Sequence, residues 1–113
     1  MQYSQHDDTY TIVLAQGENV IETLTQFCTD HSIDNAYFRG IGAVDQLECG
    51  YYDLEKKEYF FTNYPTMLEV TSLTGNVMLK DGAPFVHMHG VFTDSTNNAF
   101  GGHIKEMRVG VTL

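Results

Sequence analysis

Several residue types that mark particular protein classes are scarce in this chain of 113 residues. It contains no tryptophan, two prolines and two cysteines. Cys28 and Cys49 do not form a Cys-x-x-Cys pair, and two cysteines are too few for the disulfide framework of a small secreted domain. We therefore expect a reducing, cytoplasmic location.

Positive charge is also scarce. Six lysine and arginine residues stand against fifteen acidic residues, and the formal net charge is −9. A surface of this sign repels phosphate backbones, and attraction to phosphates supplies most non-specific DNA affinity. The composition therefore disfavours a free-standing nucleic-acid-binding protein, whereas it suits the attraction of a metal cation.

Long apolar runs are absent. The first apolar run, residues 11–15, is too short for the core of a signal peptide, and no basic segment precedes it. No segment approaches the ~18 apolar residues of a membrane span, so we expect no membrane association. Without repeats or linkers, and with 42% hydrophobic residues, the chain is expected to form a single domain over residues 1–113.

One segment has the periodicity of a helix with a single apolar face. Its apolar residues are Val20, Ile21, Leu24, Phe27 and Cys28. This i, i+1, i+4, i+7, i+8 spacing predicts a helix from Val20 to near His31.

The rest of the chain is rich in β-branched and aromatic residues and predicts strands separated by turns. The predicted strands are residues 10–14, 35–44, 46–54, 59–64, 67–73, 77–80, 85–93, 99–104 and 109–113. Because the connections are short, neighbouring strands must mostly pair antiparallel. One helix covers one face of such a sheet, so the other face needs another cover, such as a second protomer.

Three of the five histidines lie close together in the sequence, at His87, His89 and His103. In the predicted strand 85–93, the two-residue spacing places His87 and His89 on one face, about 6.5–7 Å apart along the chain. A hairpin around residues 94–98 would bring His103 alongside them. Three neutral imidazoles with one open coordination position are typical of a catalytic-type site for zinc or another divalent metal.

Other interpretations of these histidines stay open. A His-x-His pair on a half-exposed strand is often no more than two polar residues facing water, and the third histidine is what favours a metal site. A cupin-like metalloenzyme is an alternative, because cupins also carry a His-x-His strand. The match to the cupin pattern is poor, since Gly82 is too close to His87 and Thr93 and Asp94 stand where a glutamate is expected.

Two further side chains are weaker candidates for a functional role. Glu69 would point to the opposite face of its strand from Leu68 and Val70, where it could act as a base or as a partner of a metal ligand. A solvated carboxylate is the more ordinary interpretation. Cys28 lies on the apolar face of the predicted helix and is better explained as a core residue than as a nucleophile.

Five blocks of the sequence have an order and spacing that can be compared with a known family. They are Gly40-Ile-Gly-Ala-Val44, Gly50-Tyr-Tyr-Asp53, Leu68-Glu-Val-Thr-Ser-Leu-Thr-Gly-Asn76, Asp81-Gly-Ala-Pro-Phe-Val-His-Met-His89 and Gly101-Gly-His-Ile104. In combination they resemble the PPC domain (plant and prokaryote conserved). The resemblance extends from about Tyr10 to the end of the sequence.

The resemblance implies an α+β fold, with one main helix and a mixed, largely antiparallel sheet of about seven strands. It also implies a homotrimer, which would cover the second sheet face. His87, His89 and His103 match positions that bind a metal in some prokaryotic members. The family's DNA-binding label concerns largely separate AT-hook segments built on Arg-Gly-Arg-Pro; this chain has no such segment, so we do not extend the label to it.

The sequence departs from the family pattern at two positions. Met107 stands where a glycine is common in the turn before the last strand, and the sequence stops at Leu113, where members usually extend that strand with a glutamate. We therefore expect an altered turn, and a last strand that is either short or lacks this glutamate.

The favoured hypothesis is a small trimeric domain that binds a divalent metal, with zinc the expected ion. An open coordination position would admit water or a small anionic or carbonyl ligand. The alternative is a non-catalytic regulatory or protein-interaction module.

Overall fold

The computed structural model describes all 113 residues and contains one helix and seven strands. In chain order they are β1 (Gln2–His6), β2 (Thr9–Val13), α1 (Val20–Asp30), β3 (Ala36–Asp53), β4 (Glu58–Tyr64), β5 (Leu68–Lys80), β6 (Ala83–Thr93) and β7 (Ala99–Val109). The predicted α+β class is confirmed, and every strand pairing is antiparallel. The structure contains no helix with the length and apolarity that a membrane span requires.

The helix forms where its periodicity predicts it. The Asn19 side chain caps the helix by accepting a hydrogen bond from the backbone N–H of Glu22 at 3.1 Å. The carboxylate of Glu22 lies in the first turn, where it interacts favourably with the helix dipole. Val20, Phe27 and Cys28 are buried on the apolar face. The helix therefore joins the core through this face, and it lies against β6 and β7.

The strands fall into two sheets rather than one. β1 and β2 form a separate hairpin, while the other five strands follow the order β4-β3-β5-β6-β7. The long strand β3 also pairs with β7, since Val44 is opposite both Leu68 of β5 and Val109 of β7. A residue has one partner on each edge, so β5 and β7 flank β3 on opposite edges. The strands β3, β5, β6 and β7 therefore form a closed ring in which each strand is hydrogen-bonded to the next.

The two faces of this sheet differ in composition. The inner face contributes Val44, Leu47, Met88, Ile104 and Met107 to one core cluster that also includes Val20 and Cys28 of the helix. The residues that alternate with these point to the opposite face, which we call the outer face. Cys28 is thus a core residue, as the helical pattern predicts.

Several of the predicted strand boundaries are wrong, including the end of the strand predicted at 99–104, which continues to Val109 as β7. Strand β1 was not predicted at all. The predicted strands 35–44 and 46–54 are a single strand, β3, and 67–73 and 77–80 are likewise the single strand β5. At Gly75, a Cβ would collide with the ring of Phe38. The absence of a side chain at Gly75 therefore lets Phe38 of β3 pack closely against β5, and β5 continues through this residue without a turn.

The end of the chain also differs from the expectation. No turn interrupts the chain at Met107, because this residue lies inside β7 and its side chain is completely buried. The predicted strand 109–113 is wrong, since β7 ends at Val109. The residues that follow run beside β2 and β3, where Ala43 donates its N–H to the carbonyl of Thr112 and Leu113 exchanges backbone hydrogen bonds with Leu14.

Candidate metal centre

The hairpin of β6 and β7 brings the three histidines together. His89 is directly opposite His103 in the strand register, and His87 precedes His89 by two residues on the same outer face. The interleaved residues Met88 and Ile104 are buried on the inner face. The period of two along each strand therefore directs all three imidazoles to one side of the sheet.

The loop between the two strands is held by one carboxylate. The Oδ1 atom of Asp94 accepts hydrogen bonds from the backbone N–H groups of Thr96 and Asn98 at 2.9 and 3.0 Å. These bonds, with those of the Thr96 hydroxyl and the Asn98 side chain, hold the pKa of Asp94 below its ordinary value. The loop lies where the sequence predicts a hairpin, and it sets the register that places His103 beside His89.

The imidazole nitrogens lie close enough to share one ion. Each histidine offers one ring nitrogen, and these three atoms all lie within 4.8 Å of one another. The Nε2 atom of His87 and the Nδ1 atom of His103 are 3.2 Å apart. Two ligands bound tetrahedrally at ~2.0–2.1 Å from zinc are separated by about 3.3 Å. The donor set therefore fits a small divalent ion, and a small rotation of the rings would bring in the third nitrogen.

The surroundings of His103 favour its neutral form. Burial lowers the pKa of His103, and the positive charges that His87 and His89 carry when protonated lower it further. A metal ion binds the neutral imidazole and competes with the proton. The neutral form of His103, which is the form that a metal ion binds, is therefore favoured.

An aromatic side chain of β4 covers His103. The ring of Tyr59 stacks on the imidazole at a centroid distance of 4.7 Å and an interplanar angle of 29°. Phe61 lies farther away, at 6.1 Å from the same imidazole. Gly50 of β3 lies between the two strands, since it pairs with β4 on one edge and with His103 of β7 on the other. Because Gly50 has no side chain, the aromatic ring from β4 can reach across it to His103. Tyr59 could not be predicted as a neighbour of the histidines, since this contact depends on strand order.

A shallow cavity of about 270 Å³ opens on the outer face beside His89. It is bordered by β5, β6 and β7. Its lining consists of Ser72, Thr74, His89, Gly90, Val91, Gly101 and Gly102. Small and hydroxyl-bearing residues predominate, so the space next to the imidazole remains open to a small polar molecule.

Glu69 is not brought to the histidines. It pairs with Thr93 in the same two strands in which Thr74 pairs with His89. At about 3.3 Å per residue, five residues of β5 separate Glu69 from the histidine row by about 16 Å. The carboxylate is exposed, which agrees with the more ordinary interpretation of it as a solvated side chain.

The remaining cysteine and histidine residues lie elsewhere. Both cysteine thiols are buried and free, and burial raises the pKa of Cys28 and of Cys49. His31 stacks on Phe27 at 4.1 Å in an aromatic cluster between α1 and the β1–β2 hairpin, and His6 lies in β1 of that hairpin. The group of side chains that could hold a metal ion therefore consists of the three predicted histidines.

Comparisons with known proteins support these observations. The family model of the Plants and Prokaryotes Conserved domain, abbreviated PCC, matches residues 1–113. A PPC protein from Pyrococcus horikoshii has 38% sequence identity and a TM-score of 0.86, with 89% of this chain and 71% of that chain covered. No curated protein matches the chain.

Two further solved structures are similar. A protein from Archaeoglobus fulgidus that is described as metal-containing has 35% identity and a TM-score of 0.83, with 89% of this chain and 71% of that chain covered. A provisionally assigned DNA-binding protein from Ralstonia eutropha has 34% identity and a TM-score of 0.91, with coverage of 97% and 76%.

These matches confirm the resemblance and replace the cupin alternative. The family model covers the whole sequence, and the fold agrees with solved members at substantial identity. The chain belongs to the Plants and Prokaryotes Conserved (PCC, or PPC) domain family.

Proposed function

We propose that this domain binds one divalent metal ion, zinc in the first instance, through His87, His89 and His103. The observation that carries the proposal is the approach of three imidazole nitrogens to within 4.8 Å of one another on one sheet face. The description of the Archaeoglobus protein as metal-containing supports it, since that protein shares this fold. Three histidine ligands with an open position are typical of catalytic rather than structural zinc sites.

The chemistry of the site follows from that open position. A bound divalent ion polarises a carbonyl or anionic group, or lowers the pKa of its water toward ~7. The protein contributes the neutral imidazole of His103, the stacked ring of Tyr59 and the cavity beside His89. The proposal is therefore a metal-binding site that admits water or a small ligand.

Metal analysis of protein purified without a histidine tag tests this proposal. We expect about one zinc ion per chain in the wild type and little metal in His89→Ala. His6→Ala is the matched control, since His6 is also an exposed strand histidine but lies in the separate β1–β2 hairpin. Circular dichroism establishes that each variant is folded. A wild type that stays metal-free after incubation with zinc, or equal metal in His89→Ala, would refute the proposal.

The proposal includes a homotrimer in the cytoplasm. Large apolar side chains are exposed in several strands and turns, with Tyr37 83%, Ile41 74% and Leu54 81% accessible. Exposed apolar surface of this kind favours association. In the cytoplasm the thiols of Cys28 and Cys49 would remain reduced. Light scattering should give three times the 12.8 kDa of one chain, and a monomer would contradict the trimer.

A second candidate function is a non-catalytic regulatory or protein-interaction module. The hairpin of β3 and β4 favours it, because this hairpin exposes Tyr51, Tyr52, Tyr59 and Phe60, and aromatic residues are enriched at protein interfaces. A variant with all three site histidines replaced by alanine distinguishes the two functions. An interaction module would keep its oligomer and its partner in this variant, whereas their loss would count against it.

A further inference from the structure

We infer that the outer face beside the histidines binds a small dicarboxylate, with one carboxylate at the metal and the other at Arg39. This inference rests on the proposed function, because the first carboxylate occupies the open position of the metal. It adds a substrate class and a residue that recognises it.

Arg39 is a cation without a partner. The other arginine of the chain, Arg108, donates a hydrogen bond to Asp45 at 2.8 Å. Lys105 likewise pairs with Glu48 at 2.8 Å. Arg39, like Lys56, Lys57 and Lys80, makes no ion pair and no side-chain hydrogen bond, although acidic residues outnumber basic ones fifteen to six. Its guanidinium is therefore free to bind an anion.

The strand register aligns Arg39 with the histidines. Arg39 of β3 is opposite Thr74 of β5, Thr74 is opposite His89 of β6, and His89 is opposite His103 of β7. Paired residues point to the same face of a sheet, so all four side chains lie on the outer face. Two strand spacings separate the backbones of Arg39 and His89 by about 9.6 Å.

A backbone irregularity lies next to Arg39. The register of β3 and β5 shifts between Gly40 and Gly42. Such bulges change the direction of neighbouring side chains and are common beside active sites. The bulge therefore bends β3 directly after Arg39.

The cavity adjoins Thr74 and His89, the two middle residues of this row. Thr74 and His89 both line it, and Ser72 contributes a second side-chain hydroxyl. Gly101 and Gly102 of β7 complete its border, and at both positions a Cβ would collide with the backbone of a neighbouring strand. Its volume of about 270 Å³ is just below the ~300 Å³ at which drug-sized ligand pockets begin. A ligand of few atoms is therefore favoured.

The chemistry of these groups selects carboxylates at both ends. A guanidinium binds a carboxylate through two parallel hydrogen bonds, and the threonine and serine hydroxyls donate to oxygen atoms between the ends. A divalent ion on imidazole ligands accepts a carboxylate oxygen in its open position. An extended dicarboxylic acid of about four carbons, with a metal–oxygen bond at one end and a hydrogen bond to the guanidinium at the other, has a length of the same order as the about 9.6 Å between the backbones of Arg39 and His89.

Calorimetric titration of the zinc-loaded protein with succinate and with butyrate tests the inference. The two ligands have the same number of carbons, but butyrate lacks the second carboxylate. We expect succinate to bind more tightly than butyrate, and Arg39→Gln to weaken succinate binding about tenfold or more while butyrate binding is unchanged, since a charge-assisted hydrogen bond is lost. Arg108→Gln makes the same chemical change away from the cavity and should leave both affinities unchanged.

The zinc content, measured in the same samples before and after titration, separates the two proposals. If the wild type takes up no zinc, the proposed function fails and this inference fails with it. If zinc is bound fully but succinate and butyrate bind equally, or Arg39→Gln has no effect, the dicarboxylate inference alone is overturned. Phosphate binding without succinate binding would likewise overturn the choice of carboxylate.

Discussion

The stacking of Tyr59 on His103 allows a quantitative prediction for metal affinity. The two rings are 4.7 Å apart at 29°, which restricts the orientation of the imidazole before an ion arrives. Aromatic pairs of this kind are worth about 0.5–1.5 kcal/mol. If Tyr59→Leu removes this restriction, the imidazole of His103 has to be oriented when zinc binds, and this costs binding free energy. A cost equal to the energy of the aromatic pair raises the zinc dissociation constant about 2- to 12-fold.

A second effect acts in the same direction. Tyr59 covers one face of an imidazole whose pKa is lowered by burial. Leucine in its place exposes the ring to more water, and the pKa of His103 should rise toward its ordinary value. Protons then compete better with zinc, so the loss of affinity should grow as the pH falls.

Competition with a chromophoric zinc chelator at two pH values measures both effects. Tyr59→Phe retains the ring and should bind zinc within about twofold of the wild type. Tyr51→Leu is the matched control, because Tyr51 stacks on Phe60 instead of on a histidine. Wild-type affinity in a folded Tyr59→Leu variant would refute the idea that the stack orients His103. An equal loss in Tyr51→Leu would attribute the effect to general damage to the hairpin.

Three further outcomes are expected. The pKa of His103 is lowered in the folded protein, so the unfolded state binds more protons at pH values below about 6.5, and the metal-free protein should lose stability as the pH falls through that range. Urea titrations should show that the free energy of unfolding depends less on pH in His103→Gln than in the wild type. An identical pH dependence in the two proteins would contradict the assignment to His103. Gly75→Ala forces a Cβ against the Phe38 ring and should lower the free energy of unfolding by about 1–3 kcal/mol in chemical denaturation, whereas Gly40→Ala, whose Cβ would meet Leu73 at an ordinary 3.6 Å, should have a small effect. The net charge of −9 predicts no shift of duplex DNA in a gel at physiological salt, and tight binding even at low salt would overturn that expectation.

Local periodicity predicted much of the fold. The helix Val20–Asp30 agrees with its apolar spacing to within one residue, because an amphipathic helix is specified by neighbours along the chain. Strand β6 and the Asp94 loop were also located, since alternation and turn residues are local properties. The strand break inside β5 was wrong because glycine suggests a turn in a sequence, while Gly75 in the structure serves contact with Phe38 of a neighbouring strand. The break at Asp45 was also wrong, since β3 continues through this residue.

The candidate site divides in the same way. The His87–His89 spacing and the return to His103 could be predicted, because a strand period and one hairpin connect all three residues. Tyr59, Arg39 and the cavity could not be predicted, because they reach the site through the order β4-β3-β5-β6-β7 and the extra pairing of β3 with β7. The alternation of side chains is a local property of a single strand, so it can be predicted from the sequence of that strand. Which strands become neighbours depends on contacts between segments that are far apart in the sequence.

The sequence by itself thus determined the class of the fold, the family and the three imidazoles that face one side. Those properties follow from composition, from periods of two and 3.6 residues, and from the order of the five sequence blocks that resemble the family. Only the tertiary structure decided what surrounds those imidazoles. It stacked Tyr59 on His103, left Glu69 at a distance, and placed the unpaired Arg39 in the same row as His89, because the bent strand β3 pairs with β4 and β5 on one edge and with β7 on the other.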